Sequence, residues 1–284
     1  MSAPSSNPSA DKVTLPGLRA RKLAGEKISA LTAYDYPSGL LAEEAGIDLI
    51  LVGDSLANTA LGYENTLPVT MEEMQVAMKA VRRAVRRAFL VADLPFGTYH
   101  ESETAAISAS IEFLKAGAEA VKLEGGQRRA RLVRRLVDNE IPVIGHVGLT
   151  PQSIHAMGGY KVQGKDPESA AQLLDDALAL EAAGVSALVI EGVPATLAAR
   201  ITAELEIPTI GIGAGAACDG QILVFADLLG LSQGKKPRFV RQYLDLHALS
   251  LEAIRAYRKD VLSGDFPAAQ ESYQMMRSKA ARVL

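Results

Sequence analysis

The feature that most constrains this chain is an alternation. Short apolar, β-branched runs recur eight times, and most are followed by an Ala-, Leu- and charge-rich stretch of helical period. The runs are Ile28 to Ala33, Leu49 to Val52, Phe89 to Ala92, Ala120 to Leu123, Val143 to His146, Ala187 to Ile190, Thr209 to Ile212 and Ile222 to Phe225. A strand such as Leu49-Ile50-Leu51-Val52 has no polar face, so it must be covered on both sides, as in a parallel sheet flanked by helices. Helical periods cover Ser38 to Ala45, Met71 to Arg86, Ser102 to Ala116, Gln127 to Asn139, Pro167 to Ala183 and Pro194 to Glu204. The punctuation agrees: Thr70 and Glu73 have the spacing of a capping box, Pro167 suits a first helical position, and Gly46, Gly117 and Gly184 stand where left-handed caps end helices.

Eight such units predict a (β/α)8 TIM barrel, and 284 residues suffice for the roughly 250 that fold needs. The competing architecture, an open doubly wound sheet, carries a Gly-x-Gly-x-x-Gly turn after its first strand. Here that strand runs instead into Thr32-Ala33-Tyr34-Asp35-Tyr36. The expected organisation is a disordered tail over 1–13, one catalytic barrel over 14–265 and an extension over 266–284. From Val240 onward Tyr243, Leu246, Leu249, Ile254, Tyr257 and Val261 form an amphipathic pattern, so extra C-terminal helix is expected, either over the barrel or against another subunit. Gln270 to Leu284 has little core character and reads as frayed or partner-dependent helix.

Thirty basic residues against 33 acidic ones, a net charge of −3, lack the electrostatic footprint of a nucleic-acid binder. The single cysteine, Cys218, leaves no internal disulfide or Cys-based zinc site and reads as a buried filler suited to a reducing compartment. No run approaches the ~18 consecutive apolar residues of a membrane span, and the N-terminal stretch lacks a signal peptide's basic and apolar regions. A cytoplasmic protein with small-molecule partners, and neither nucleic acid nor membrane, is the expectation.

Barrel active sites lie at the C-terminal ends of the strands. Asp54, Asp93, Glu124 and Glu191 follow the second, third, fourth and sixth strands directly. Asp54, Asp93 and Glu124 at one mouth repel one another in a poorly solvated place, and a cation removes that cost. An all-oxygen donor set favours Mg2+, with Mn2+ or Co2+ able to replace it, over Zn2+. Taken singly, each acid also fits a cap or loop role. Asp48 reads as a strand-entry residue and Asp227 as a loop or helix-start residue.

Lys122 lies two residues before Glu124 and therefore points to the same side, either pairing with the carboxylates or holding the charge of a substrate. Ser55 is a carboxylate anchor or a local cap, and His146 orients a ligand or satisfies a core hydrogen bond. Gly211-Ile212-Gly213-Ala214-Gly215 is either a phosphate cradle or a place of close backbone approach. The arginines at 82–87 and 128–135 read as solvated helix faces.

The chain also resembles a known family. Leu31-Thr32-Ala33-Tyr34-Asp35, Leu51-Val52-Gly53-Asp54-Ser55, Leu67-Pro68-Val69-Thr70, Ala92-Asp93-Leu94-Pro95-Phe96 and Lys122-Leu123-Glu124-Gly125-Gly126 carry the likeness. It continues through Gly145 to Ser153, Gly158 to Gly164 and Gly211 to Gly215, in order. The resemblance is to the ketopantoate hydroxymethyltransferase family, over roughly residues 14 to 265. It implies a barrel of the phosphoenolpyruvate/pyruvate type, assembled as a decamer of two five-membered rings (a pentamer of dimers), with one Mg2+ per subunit and 5,10-methylenetetrahydrofolate as cosubstrate. It implies transfer of a one-carbon unit to 3-methyl-2-oxobutanoate, giving 2-dehydropantoate through a metal-stabilised enolate, in pantothenate biosynthesis. Carried over by position, Asp54 and Asp93 contact metal and oxo acid, Glu124 is a metal ligand, Ser55 and Lys122 hold substrate, and Glu191 is the general base. Ala57, Asn58 and Gly192 depart from common family residues and affect only pocket shape.

The rival enzyme class is a carbon–carbon lyase of the isocitrate lyase or phosphonopyruvate type, which carries a catalytic Cys in a Lys-Lys-Cys-Gly-His context. Here the only cysteine sits in Ala216-Ala217-Cys218-Asp219-Gly220. A non-catalytic metal-dependent binding protein is the rival of another class, and Glu191 and Lys122 argue against it.

Overall fold

The computed structural model describes residues 11–232, 234 and 236–275. Its eight strands form a closed parallel barrel in chain order: β1 Ile28–Thr32, β2 Leu49–Val52, β3 Phe89–Asp93, β4 Ala120–Glu124, β5 Val143–Gly148, β6 Ala187–Glu191, β7 Thr209–Ile212 and β8 Gly220–Leu223, with β8 pairing back to β1. Helices of eight residues or more are α1 Leu15–Ala24, α2 Tyr36–Glu44, α3 Met71–Ala84, α4 Glu103–Lys115, α5 Ala130–Val137, α6 Pro167–Ala183, α7 Ala195–Glu204 and α8 Leu246–Ser263.

The period-2 alternation of each strand sorts its side chains into two cores. Ile28, Ala30, Leu49, Leu51, Phe89, Val91, Ile144, Val189 and Ile210 fill the barrel interior. Ile50, Leu90, Leu123, Leu188 and Ile190 face outward, in one cluster with Met74, Met78, Phe113 and Leu180 of the surrounding helices. In β4 the same alternation puts Lys122 and Glu124 on the inner side with Ala120. The interior is thus apolar at mid-height and ionic only near its C-terminal mouth.

The expected caps form. Thr70 and Glu73 make a reciprocal capping box, Asp35 caps α2, and Gly184 ends α6 in the left-handed region. Three local expectations differ from the structure. α1 precedes the first strand, outside the alternation, and places Leu18 in the barrel core. β8 begins two residues earlier than its apolar pattern suggests, because it opens with Gly220, where a Cβ would meet the Ile28 carbonyl at 2.5 Å. The C-terminal helix starts at Leu246 rather than near Val240. The tail expected over 1–13 falls mostly outside the described residues, as do residues 276–284 of the extension. Among the described residues no helix is long and apolar enough to cross a membrane.

Candidate active site

The carboxylates expected at the strand ends meet at one mouth. Asp54, Asp93, Lys122 and Glu124 are all buried, at 5%, 2%, 4% and 4% exposure. Asp93 Oδ2 accepts the Asp54 N–H at 3.1 Å, and Asp93 Oδ1 lies 2.7 Å from Lys122 Nζ. On the far side of Lys122, His146 Nδ1 stands 3.3 Å from Nζ and 3.4 Å from Glu124 Oε1. His146 Nε2 lies 3.3 Å from Glu191 Oε2. One imidazole therefore bridges β4 and β6, a larger part than a core hydrogen bond.

Gln152, on the loop after β5, ties the cluster together. Its Nε2 donates to Asp54 Oδ2 at 2.8 Å and to the Leu94 carbonyl at 3.0 Å, while its backbone N–H donates to Glu124 Oε2 at 2.9 Å. Tyr99 OH donates in turn to Gln152 Oε1 at 2.5 Å and accepts the Glu124 N–H at 3.3 Å. Sequence pattern singles out neither Gln152 nor Tyr99. Gln152 lies within a family motif that carries no sign of its direction, and Tyr99 lies in the loop after β3 with nothing to mark it.

Ser55 belongs to the rim through Tyr34, whose hydroxyl lies 2.7 Å from Ser55 Oγ and accepts from Thr32 Oγ1 at 2.8 Å. Burial pushes the Tyr34 phenol up to about 12, so it stays a neutral donor. Ser55 makes no side-chain cap for the short helix that follows it.

The electrostatics fit a missing positive charge. Burial first, then repulsion from Asp93 and Glu124, push Asp54 up to about 8 despite Lys122 and Gln152. Burial raises Asp93 too, and its ammonium partner pulls it back. The Lys122–Asp93 pair is ionic: burial would depress Lys122, but the surrounding carboxylates outweigh it and push it up. Burial would raise Glu124, yet His146, Lys122 and the Gln152 N–H bring it down. Burial and Lys122 work against a charged His146, and Glu124 and Glu191 overcome them to place it at about 9. More acidic groups than basic ones thus meet at the mouth, and an added cation would relieve the repulsion that raises Asp54.

Asp93 Oδ1 and Glu124 Oε1 are buried acceptors without a hydrogen-bond partner among the described residues, although a cationic nitrogen stands beside each. Hard oxygen donors are what Mg2+ takes. The cage is not preformed: among the described residues no group of three or more His, Cys, Asp and Glu side chains already stands in ligand geometry. Lys122 holds Asp93, and Gln152 holds Asp54 and Glu124.

A cavity of about 620 Å³ opens beside the cluster. It meets the site at Glu124 and Gly148 and runs outward past Arg129 toward Asp176. Gly148 has φ +95°, and a Cβ there would lie 2.2 Å from the Glu191 carbonyl, so glycine lets β5 and β6 approach beside the expected base. The Gly211–Gly215 run serves packing: Cβ atoms on Gly213 and Gly215 would meet the Phe239 ring at 2.6 Å and Ala195 at 2.5 Å. Of the arginines, Arg83 and Arg86 are solvated, Arg87 is paired with Asp48, and Arg131 and Arg135 meet Glu103.

Comparison with known proteins identifies relatives and a shared barrel. A family model described as ketopantoate hydroxymethyltransferase matches residues 12–269. A 3-methyl-2-oxobutanoate hydroxymethyltransferase of Koribacter versatilis is 55% identical, covering 96% of this chain and 92% of that protein. One of Carboxydothermus hydrogenoformans is also 55% identical, covering 96% and 99%. Among solved structures, phosphonopyruvate hydrolase in complex with oxalate and Mg2+ superposes with TM-score 0.58 at 15% identity, over 90% of this chain and 92% of that one. A 2,3-dimethylmalate lyase of the PEP mutase/isocitrate lyase superfamily gives 0.55 at 15%, over 92% and 91%. At that identity the structures speak for the shared barrel.

Proposed function

The chain belongs to the ketopantoate hydroxymethyltransferase family, and on that premise we propose a division of labour at its barrel mouth. The reaction is transfer of a one-carbon unit to 3-methyl-2-oxobutanoate, giving 2-dehydropantoate, and we assign 5,10-methylenetetrahydrofolate as the donor. The observation that carries the reading is the convergence of Asp54, Asp93, Glu124, Lys122 and Glu191 around His146 and Gln152.

Asp54, Asp93 and Glu124 would hold a divalent metal, assigned as Mg2+ from the all-oxygen set. When bound, it would supply Lewis acidity to the oxo acid. Lys122 and Ser55 orient the oxo acid so that its C3–H faces Glu191. Glu191 takes that proton, and His146, 3.3 Å away, holds the carboxylate in place. Water hydrolyses the methylene C–N bonds of the donor, so that tetrahydrofolate leaves and the carbon remains at the formaldehyde level; C3 then attacks that carbon with the electron pair left by its proton, and the C=O π pair passes to oxygen, which takes a proton and becomes the new hydroxyl. The apolar barrel interior beneath keeps the ionic cluster from bulk water.

The lyase reading loses its nucleophile. Cys218 is buried and precedes β8, at the end of the barrel opposite the carboxylates. The direct test incubates purified protein with Mg2+, methylenetetrahydrofolate and 3-methyl-2-oxobutanoate and follows 2-dehydropantoate by mass spectrometry. Product that requires all three supports the assignment. Turnover of 2-methylisocitrate without folate would replace it. A homo-oligomer of ten subunits and a cytoplasmic location complete the proposal, resting on the family alone.

A further inference from the structure

The cavity beside the carboxylates is larger than the oxo acid requires. At about 620 Å³ it has the size of a pocket for a drug-sized ligand, whereas 3-methyl-2-oxobutanoate is a small five-carbon acid. The two glycines after Glu124 let charged side chains pack against its wall. A Cβ on Gly126 would meet Asp176 Cγ at 2.0 Å, and one on Gly125, whose φ is +116°, would meet Arg129 Cγ at 2.9 Å. The Arg129 stem therefore lies against the end of β4, next to a proposed metal ligand.

Arg129 has no counter-charge among the described residues. Arg131 and Arg135 pair with Glu103, and Arg134 with Asp138, but no carboxylate pairs with Arg129. Its Nη1 donates to the Tyr99 carbonyl at 3.4 Å, and its guanidinium lies 5.0 Å from the centre of the Tyr99 ring. Its Nε is a buried donor without a partner among the described residues. A guanidinium carries five N–H donors in a fork that matches a carboxylate, and only one of the five meets a protein acceptor here. Tyr99 itself is held by Gln152 and Glu124, so Arg129 sits one aromatic ring away from the carboxylate cluster.

The neighbouring basic groups are weaker anion sites. His100 Nδ1 accepts the Gly97 N–H at 3.2 Å, and burial, then Arg129, hold its ring below the usual histidine range, so it is neutral at pH 7. Arg128 lines the same cavity but is exposed, where solvent and salt screen its charge.

We infer that Arg129 binds a carboxylate of the donor's glutamyl tail and makes the site selective for a donor that carries one. The inference rests on the proposed reaction, in which methylenetetrahydrofolate supplies the one-carbon unit. The pterin and aminobenzoyl groups of that donor are uncharged near neutral pH, so the glutamyl carboxylates are its anions. With the reacting carbon at the carboxylate cluster, the cavity that runs outward past Arg129 gives the tail its path.

The test compares 5,10-methylenetetrahydrofolate with its analogue in which the glutamyl carboxylates are converted to carboxamides, which keeps the shape and removes the charge. The ratio of kcat/KM for the two donors is measured on each protein, so the fraction of active enzyme cancels. The unsubstituted protein should favour the acid by about 10-fold or more, the scale of a hydrogen bond to a charged group. In Arg129→Gln the ratio should fall close to unity, through KM for the donor rather than kcat. Arg129→Lys keeps the charge without the fork and should fall between; it decides the case even where Arg129→Gln fails to fold, and an undiminished preference in it counts against the inference. A ratio close to unity in the unsubstituted protein, or the same preference in Arg129→Gln, overturns the inference and leaves the reaction standing. Absence of product from either donor would remove the reaction, and the inference with it.

Discussion

His146 Nε2 stands 3.3 Å from Glu191 Oε2, where the C-terminal halves of the fifth and sixth strands meet at the barrel mouth. Its other nitrogen faces Glu124 Oε1 at 3.4 Å, so one ring connects the proposed base to a proposed metal ligand. Orientation of reacting groups is a large part of catalysis, and a misplaced base loses it.

Replacing that ring with an uncharged side chain should therefore act on the chemical step. His146→Gln is expected to lower kcat by about 10- to 100-fold while leaving KM for 3-methyl-2-oxobutanoate within a small factor. Steady-state kinetics of the purified variant check this, and a change confined to KM would assign His146 to substrate binding.

Gln152 makes a different prediction, because its amide touches Asp54 while its backbone N–H serves Glu124 whatever the side chain. Gln152→Ala should weaken divalent-metal affinity by about 10- to 100-fold, as loss of a ligand-orienting partner does. Calorimetric titration with Mn2+ reads this directly. Unchanged affinity would mean that Asp54 needs no such support.

The Lys122–Asp93 pair is buried on both sides, so removing one partner strands a charge. Asp93→Ala should weaken metal binding and also destabilise the fold by about 3 kcal/mol or more. Urea unfolding and metal titration of the same variant separate the two effects. Full metal affinity would remove Asp93 from the ligand set.

At the opposite end of the barrel, Asp48 pairs with Arg21 at 2.8 Å and Arg87 at 3.0 Å and accepts from Ser29. Burial works against its charge, but those hydrogen bonds prevail and hold its carboxyl below the usual range. A depressed folded pKa means that the stabilisation is complete above the unfolded value of about 3.9 and is lost as pH falls through the folded one. Asp48→Asn should thus be clearly less stable than the unsubstituted protein at pH 7, and the gap should close in strong acid. Urea midpoints at neutral and acid pH test it, and a gap that stays constant would deny the ionic role.

Much of the fold and of the candidate site is legible in the chain itself. Strand-end position locates Asp54, Asp93, Glu124 and Glu191, because a parallel barrel sends every strand's C-terminal end to the same rim. The side on which Lys122 points follows from its two-residue spacing to Glu124. The helix caps are equally readable, since Thr70 and Glu73 act within one turn. What escapes depends on direction at a distance. Gln152 reaches Asp54 across 98 residues and Tyr99 reaches Gln152 across 53, and no local period encodes either contact. The position of α8 escapes for another reason: an amphipathic stripe requires a partner surface without saying whose.

The proposed role of Glu191 is to remove the C3 hydrogen of 3-methyl-2-oxobutanoate. Proton NMR in D2O, with Mg2+ present and folate omitted, follows exchange of that hydrogen in the unsubstituted protein and in Glu191→Gln. Exchange by the first and a loss of about 10²–10⁴-fold in the second, with oxo-acid binding retained, is the predicted result. Exchange at the same rate in both would deny Glu191 the role of base.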